Sequence, residues 1–273
     1  METSIAYDSD WFMTRLNQSL IEVRAIADSL KLSIVGIGEL ISIPELYESL
    51  NAFHLRDRAE APYSEAALAR AYENAASARS LIMSGCLSQV SHTAIALWGC
   101  LESTVEDLVA DVLQNHPPAK EVVSIRKLKI PLCEFETLTE RERAVFIVKE
   151  LSRSTSADLK KGVGRFESIL EVVGLSGLVP SHVRKRLFEL SQVRNVLVHR
   201  MGVADSAFCT SCPEFGVSVG DRLNLTMDHL DSYWTAATEY FLELGVRVGV
   251  AFMNLTREEV EETIRQALNS AKP

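Results

Sequence analysis

Apolar residues recur at helical spacing along most of the chain, and strict alternation appears in a single short stretch. Phe12, Leu16, Leu20, Val23, Ala27 and Leu30 fall on one side of a helix predicted over residues 11–30, after which Gly36 and Gly38 mark a turn or helix junction. Pro44 opens a short helix to about Leu55, a polar connection covers residues 54–62, and Ser64 starts an Ala-rich helix to about Cys86. Ile95, Trp98, Val105, Val109 and Val112 line one face of a helix over residues 88–115, which His116-Pro117-Pro118 stops. A basic, less regular segment through Cys133 leads into a helix from Thr139 to about Ser152, with Ala144, Ile147, Val148 and Leu151 inward. Residues 154–164 read as a polar, basic loop, residues 165–173 as a short helix, and Gly174 to Pro180 (GLSGLVP) as the turn into the next element.

That element is a helix over Ser181–Met201, SHVRKRLFELSQVRNVLVHRM, with Ser181 as the expected N-cap and Gly202 as the expected stop. Val183, Leu187, Leu190 and Leu197 form its apolar stripe, and Arg194 stands in that stripe. Beyond it, residues 217–225 alternate apolar and polar around Gly220-Asp221, which predicts a small β-hairpin. Thr226 caps a long helix bearing Leu230, Tyr233, Ala237, Tyr240, Leu244 and Val248, and the capping box Thr256-Arg-Glu-Glu259 opens a last helix ending near Leu268. The expected fold class is all-α, a helical bundle with a small β-hairpin inserted after the Ser181–Met201 helix. The expected organisation is an N-terminal helical region, 1–87, packing on a helical domain, 88–273.

Composition agrees with a folded helical protein, since 47% hydrophobic residues in 273 supply a sizeable core. The start METSIAYDSD lacks the basic and apolar regions of a secretory signal, and the most apolar stretches, residues 32–43 and 81–101, are interrupted by polar residues. Five cysteines without a spaced framework fit a reducing compartment, so the expected location is the cytoplasm. The net charge of −9 is unevenly spread: residues 117–200 carry 16 Lys/Arg against 10 Asp/Glu, and the remainder 12 against 27. Such asymmetry focuses a phosphate backbone on one surface, although Arg184, Lys185 and Arg186 taken alone read as a solvated helix face.

Candidate chemistry concentrates in Arg194, Asn195 and His199. At about 100° per residue, Asn195 and His199 lie about 40° apart, and Arg194 lies about 140° from His199, a gap its long side chain partly bridges. A cation, an amide and an imidazole are thereby available towards one concavity. A guanidinium on a core-facing stripe requires a partner, and Glu102, within the apolar face of the 88–115 helix, is the expected one. Glu106, one turn on, is the competing carboxylate, and a water-exposed rim position is the alternative for either. Complete HExxH, Walker, GxGxxG and GxSxG patterns are absent from the sequence, and Cys209-x-x-Cys212 lacks a second pair at zinc spacing. No metal or nucleotide cofactor is indicated.

RNxxxH on an apolar helix, continued by His199-Arg200-Met201-Gly202 with Asp205, Phe208, Cys212-Pro213 and Gly220-Asp221 behind it, resembles the HEPN superfamily over residues 88 to about 248. The resemblance implies an all-helical domain that pairs so that two such helices face each other across one cleft. It implies a metal-independent endoribonuclease acting on an RNA substrate as a homodimer. In it His199 serves as acid or base, Arg194 as phosphate clamp, Asn195 as the orienting amide and Glu102 as the support of Arg194. A link to defence or toxin-antitoxin systems, with an antitoxin or regulatory partner, follows from the same resemblance, and no membrane partner is expected. The alternative is a non-catalytic HEPN-type module that binds nucleotide or RNA or serves as a scaffold, favoured by the overall acidity.

Overall fold

The computed structural model describes residues 10–56, 60–116, 123–155, 161–253 and 255–270, all of whose regular structure is helical. Pro117-Pro118, residues 156–160 of the basic loop, and the Phe12 and Leu16 side chains lie outside the described residues. Twelve α-helices follow in order: α1 Asp10–Glu39, α2 Ile43–Arg56, α3 Glu65–Met83, α4 Leu87–Asn115, α5 Val123–Arg126 and α6 Leu132–Thr137. They continue with α7 Glu140–Thr155, α8 Val163–Val172, α9 Ser181–His199, α10 Ser206–Ser211, α11 Met227–Phe252 and α12 Arg257–Ser270.

Side-chain caps mark several of the expected starts, and the Thr256–Glu259 capping box is one of them. Ser64 accepts from the Ala67 N–H at 3.2 Å, the Glu142 carboxylate accepts from the Thr139 N–H at 2.7 Å, and that of Glu259 from the Thr256 N–H at 2.8 Å. α1 differs from expectation, because it runs through Gly36 and Gly38 and breaks only at residues 40–42.

Contacts divide the chain into two compact units. The smaller comprises Arg24–Thr93 with Asn224–Leu230, and within it α2 packs on α3. Tyr47 and Tyr63 stack there with ring centroids 3.8 Å apart, and the Asn51 amide both donates to and accepts from the Tyr63 backbone. The larger comprises the chain through Val23, Ala94–Leu223 and Asp231–Pro273. The boundaries between the units fall inside α1, after Val23, and inside α4, after Thr93, since a helix can continue past the point where its packing partners change. Among the described residues no single helix is long and apolar enough to cross a membrane; α3 and α4 pass that test only together, across a 62° bend.

In the larger unit α4 is buried on nearly all sides from Leu108 to Leu113, Asp111 included. Asp111 is tolerable there because Arg15 and Arg141 both pair with it and with Asp107, so the two guanidiniums tie α1 and α7 to α4. Trp98 of α4 stacks on Phe166 of α8 at 5.0 Å, and Phe166 stacks on Tyr240 of α11 at 6.2 Å. α8 also packs on α7 and α9.

The turn between α8 and α9 is held by one carboxylate. Glu167 accepts from both the Tyr240 hydroxyl (2.8 Å) and the Gly177 N–H (2.8 Å), and Arg247 donates to it at 2.9 Å. Arg247 also donates to the carbonyls of Leu175 and Leu178 and to Glu243, so it spans the turn from α11. Gly177 leaves room for this approach, since a Cβ there would stand 2.9 Å from the guanidinium and Arg247 would have to shift. Burial and the Glu167 carboxylate raise the Tyr240 phenol well above its ordinary range, which keeps its proton in the hydrogen bond at any working pH.

The expected β-hairpin is not formed. Residues 217–219 find no strand partner across the Gly220-Asp221 turn; instead residues 220–223 pair with 202–204, through Ala204 N–H to Asp221 O (2.8 Å) and Leu223 N–H to Gly202 O (2.8 Å). Among the described residues this yields one isolated antiparallel bridge, Val203 with Arg222.

Arg247→Met should lower the unfolding free energy by about 2 kcal/mol, because it removes the ion-pair partner of Glu167 and the donor to the Leu175 and Leu178 carbonyls. Denaturant titration measures this, and a loss below about 1 kcal/mol would show that the turn does not depend on the network.

Candidate functional site

α9 starts one residue differently from expectation: Pro180 holds the N-cap position without a side-chain hydrogen bond, and Ser181 is the first helical residue. At the other end the Arg200 and Gly202 N–H groups both return to the Val196 carbonyl, at 2.9 and 3.1 Å. Met201 and Gly202 are left-handed, with φ of 55° and 79°, so the chain reverses where Gly202 was expected to stop it. Asp205 then caps α10 by accepting from the Phe208 N–H at 2.8 Å, and α10 packs on α9 with Phe208 buried. The 202–204 to 220–223 pairing secures the same end. Asp205, Phe208 and Gly220-Asp221 thus brace the C-terminal end of α9.

The buried face of α9 is Val183, Leu187, Leu190, Val193 and Val196, with Leu197 half-buried. Val193, one position before Arg194, takes the core place that the expected stripe assigned to Arg194. Arg194 is correspondingly half-exposed, and its side chain donates to the Asn195 amide oxygen at 3.3 Å. Asn195 and His199 are exposed, as are Val198 (46%) and Met201 (79%). The last turns of α9 and the residues after it therefore leave a guanidinium, an amide, an imidazole and two apolar side chains open to solvent.

Glu102 does not support Arg194. Its carboxylate pairs with Arg165 of α8 at 2.8 Å, and Glu106 accepts from the Ser152 hydroxyl at 3.3 Å. The physical reason is the register of α9: a guanidinium at the rim keeps water and needs no buried anion, whereas Arg165, with a deeply placed Nε, does. Two clefts of the larger unit, of about 420 and 800 Å³, are lined by residues other than Arg194, Asn195 and His199. Among the described residues no group of three or more His, Cys, Asp or Glu is placed to hold a metal ion, and Cys209 and Cys212 are free thiols. Burial and nearby Glu189 and Glu214 push the Cys212 thiol up to about 11, which makes it a poor nucleophile.

No family model, curated protein or solved structure matches this chain.

Chemically, His199 offers an imidazole for proton transfer and Arg194 a guanidinium with donors to spare, since among the described residues a single neutral amide engages it. A single imidazole cannot remove one proton and deliver another in the same step. Sequence reasoning missed Arg165 as the partner of Glu102. Its only signal was placement on the first turn of α8, and which face of α8 meets α4 is a tertiary fact.

A double-mutant cycle between Glu102→Gln and Arg165→Met should show a coupling of about 1 kcal/mol in unfolding free energy, and Glu102 with Arg194 should show none. Coupling to Arg194 alone would restore the expected pairing.

Proposed function

We propose that this protein is a metal-independent endoribonuclease of HEPN type that cleaves RNA in a cleft completed by a second copy of the chain. The observation that carries the reading is the joint exposure of Arg194, Asn195 and His199 on the last turns of α9, flanked by exposed Val198 and Met201. Two apolar side chains beside polar ones form a face suited to being covered, and a twofold contact there gives the cleft two imidazoles and two guanidiniums.

One His199 removes the proton of a ribose 2′-hydroxyl, whose oxygen attacks phosphorus. The bond to the 5′-oxygen breaks, and the second His199 gives that oxygen a proton. Arg194 from each copy neutralises the phosphorane, and Asn195 orients either the imidazole or a phosphate oxygen. The products are a 2′,3′-cyclic phosphate and a 5′-hydroxyl. In this reading Glu102 and Arg165 position α8 against α4 and have no part in the reaction. An antitoxin or regulatory partner that covers the same face would hold the activity in check.

A second reading, a non-catalytic RNA- or nucleotide-binding or scaffold module, is favoured by one observation, the net charge of −9.

Wild type should cleave mixed tRNA or unstructured RNA in excess EDTA with cyclic-phosphate ends, and sediment as a dimer. His199→Ala should lose about 100-fold or more in rate without change of fold or dimer. Full activity in His199→Ala would sink the assignment, and absence of cleavage by a well-folded wild-type dimer would favour the second reading.

A further inference from the structure

The first two turns of α9, at the end away from Arg194 and His199, form a wall of the 800 Å³ cleft. Lys161, Arg184 and Lys185 line it, together with Ser181, Gly177 and Phe188. Lys161 and Arg184 are exposed, and among the described residues neither makes an ion pair. Lys185 reaches Glu214 at 2.6 Å, but both side chains are more than half exposed (55% and 61%), so a competing anion displaces that contact at little cost. Glu167 also lines the cleft, but its charge is already met by Arg247, Tyr240 and Gly177. The field in the cleft is therefore set by its cations.

Phe188 supplies a second kind of surface. It is half-buried, and its backbone is pressed against Gly162, where an added Cβ would stand 2.8 Å from the Phe188 Cα. Gly162 has a φ of 60°, so two constraints demand glycine and the wall between the start of α8 and α9 is closely fitted. Several cations beside a held aromatic ring is the combination that binds single-stranded nucleic acid, with phosphates on the cations and a base on the ring. A purely apolar ligand would desolvate three charges there without return. A small anion would leave the ring unused.

We propose that this cleft binds single-stranded RNA, with Lys161 and Arg184 on backbone phosphates and Phe188 against a base. The choice of RNA as the polymer rests on the ribonuclease reading of α9; the cations and the ring do not depend on it. Arg184 and His199 are separated by about 22 Å along α9. At about 3.4 Å of rise per phosphate along one strand, that is on the order of six nucleotides, so one RNA strand can occupy both ends of the helix.

The test uses the full chain carrying His199→Ala and a fluorescent oligouridine of about 12 nucleotides, by anisotropy in EDTA at roughly 50 to 200 mM salt. Adding Lys161→Glu with Arg184→Glu should weaken binding at least tenfold and flatten the salt dependence. Arg70→Glu with Arg79→Glu, the same charge change on exposed residues of the smaller unit, should leave binding within about twofold. Phe188→Leu, which keeps an apolar side chain against Gly162, should cost about fivefold for the single strand and nothing for a duplex of equal length. Melting curves check that each variant is folded.

Equal loss from both charge pairs, or no RNA binding at all, would overturn the cleft, and an unchanged Phe188→Leu would overturn the base contact. Wild-type cleavage is read in parallel. Binding that depends on Lys161 and Arg184 without cleavage leaves the cleft standing and removes the ribonuclease reading. Cleavage with cleft-independent binding does the reverse.

Discussion

The Glu167 carboxylate, shared by Arg247, Tyr240 and the Gly177 N–H, is the contact on which the placement of α9 depends. α9 enters directly from the turn that Arg247 spans, and a Pro180 start without a side-chain cap offers little local definition of its own. The direction of the helix is therefore set by an ion pair reaching across from α11. Taking one carboxylate and one guanidinium out of water is costly, and the arrangement is viable because nearly every donor and acceptor is met by backbone or side chain. The basic cleft beside Gly177, at the start of α9, follows from that constraint, while the far end is braced by Asp205 and the pairing of 202–204 with 220–223.

The helix divides its charges by position along its length and not by face alone. Arg184 and Lys185 stand in its first two turns, and Arg194, Asn195 and His199 in its last two. Between them the inward residues run Val183, Leu187, Leu190, Val193, Val196, and the one buried carboxylate, Glu189, accepts from the Tyr233 hydroxyl (2.7 Å) and pairs with Arg186 (3.1 Å). Among the described residues this leaves Arg184 without an ion pair and Lys185 with only an exposed contact to Glu214, so both stay available to a phosphate chain. The excess of 16 Lys/Arg over 10 Asp/Glu in residues 117–200 is meaningful because folding gathers Lys161 and Arg184 from two elements around one cleft.

The longer helices were legible in the sequence, whereas the short α5, α6 and α10 and the extension of α1 to Glu39 were not. The spacing of Ile95, Trp98, Val105, Val109 and Val112, the starts at Ser64 and Thr139, the capping box at Thr256 and the stop at Gly202 depend on contacts within about four residues, and those contacts are written locally. The alternation at residues 217–225 misled for the same reason in reverse. It indicates the turn at Gly220, but which segment completes the hydrogen bonds is non-local, and residues 202–204 do so.

Arg194 marks the boundary between the two kinds of knowledge. The sequence by itself determined that Arg194, Asn195 and His199 share one helix within two turns, because 3.6 residues per turn leaves no other arrangement. It did not determine whether Arg194 faces the core, since Val193 and Leu197 are both apolar and a stripe drawn through either is locally acceptable. Only the tertiary packing of α9, on α8 and α10, buried Val193 and left Arg194 at the rim, and the placement of α8 on α4 gave Glu102 to Arg165. A side chain's solvent exposure is a property of its neighbours in space, and those neighbours are brought together by residues tens of positions away.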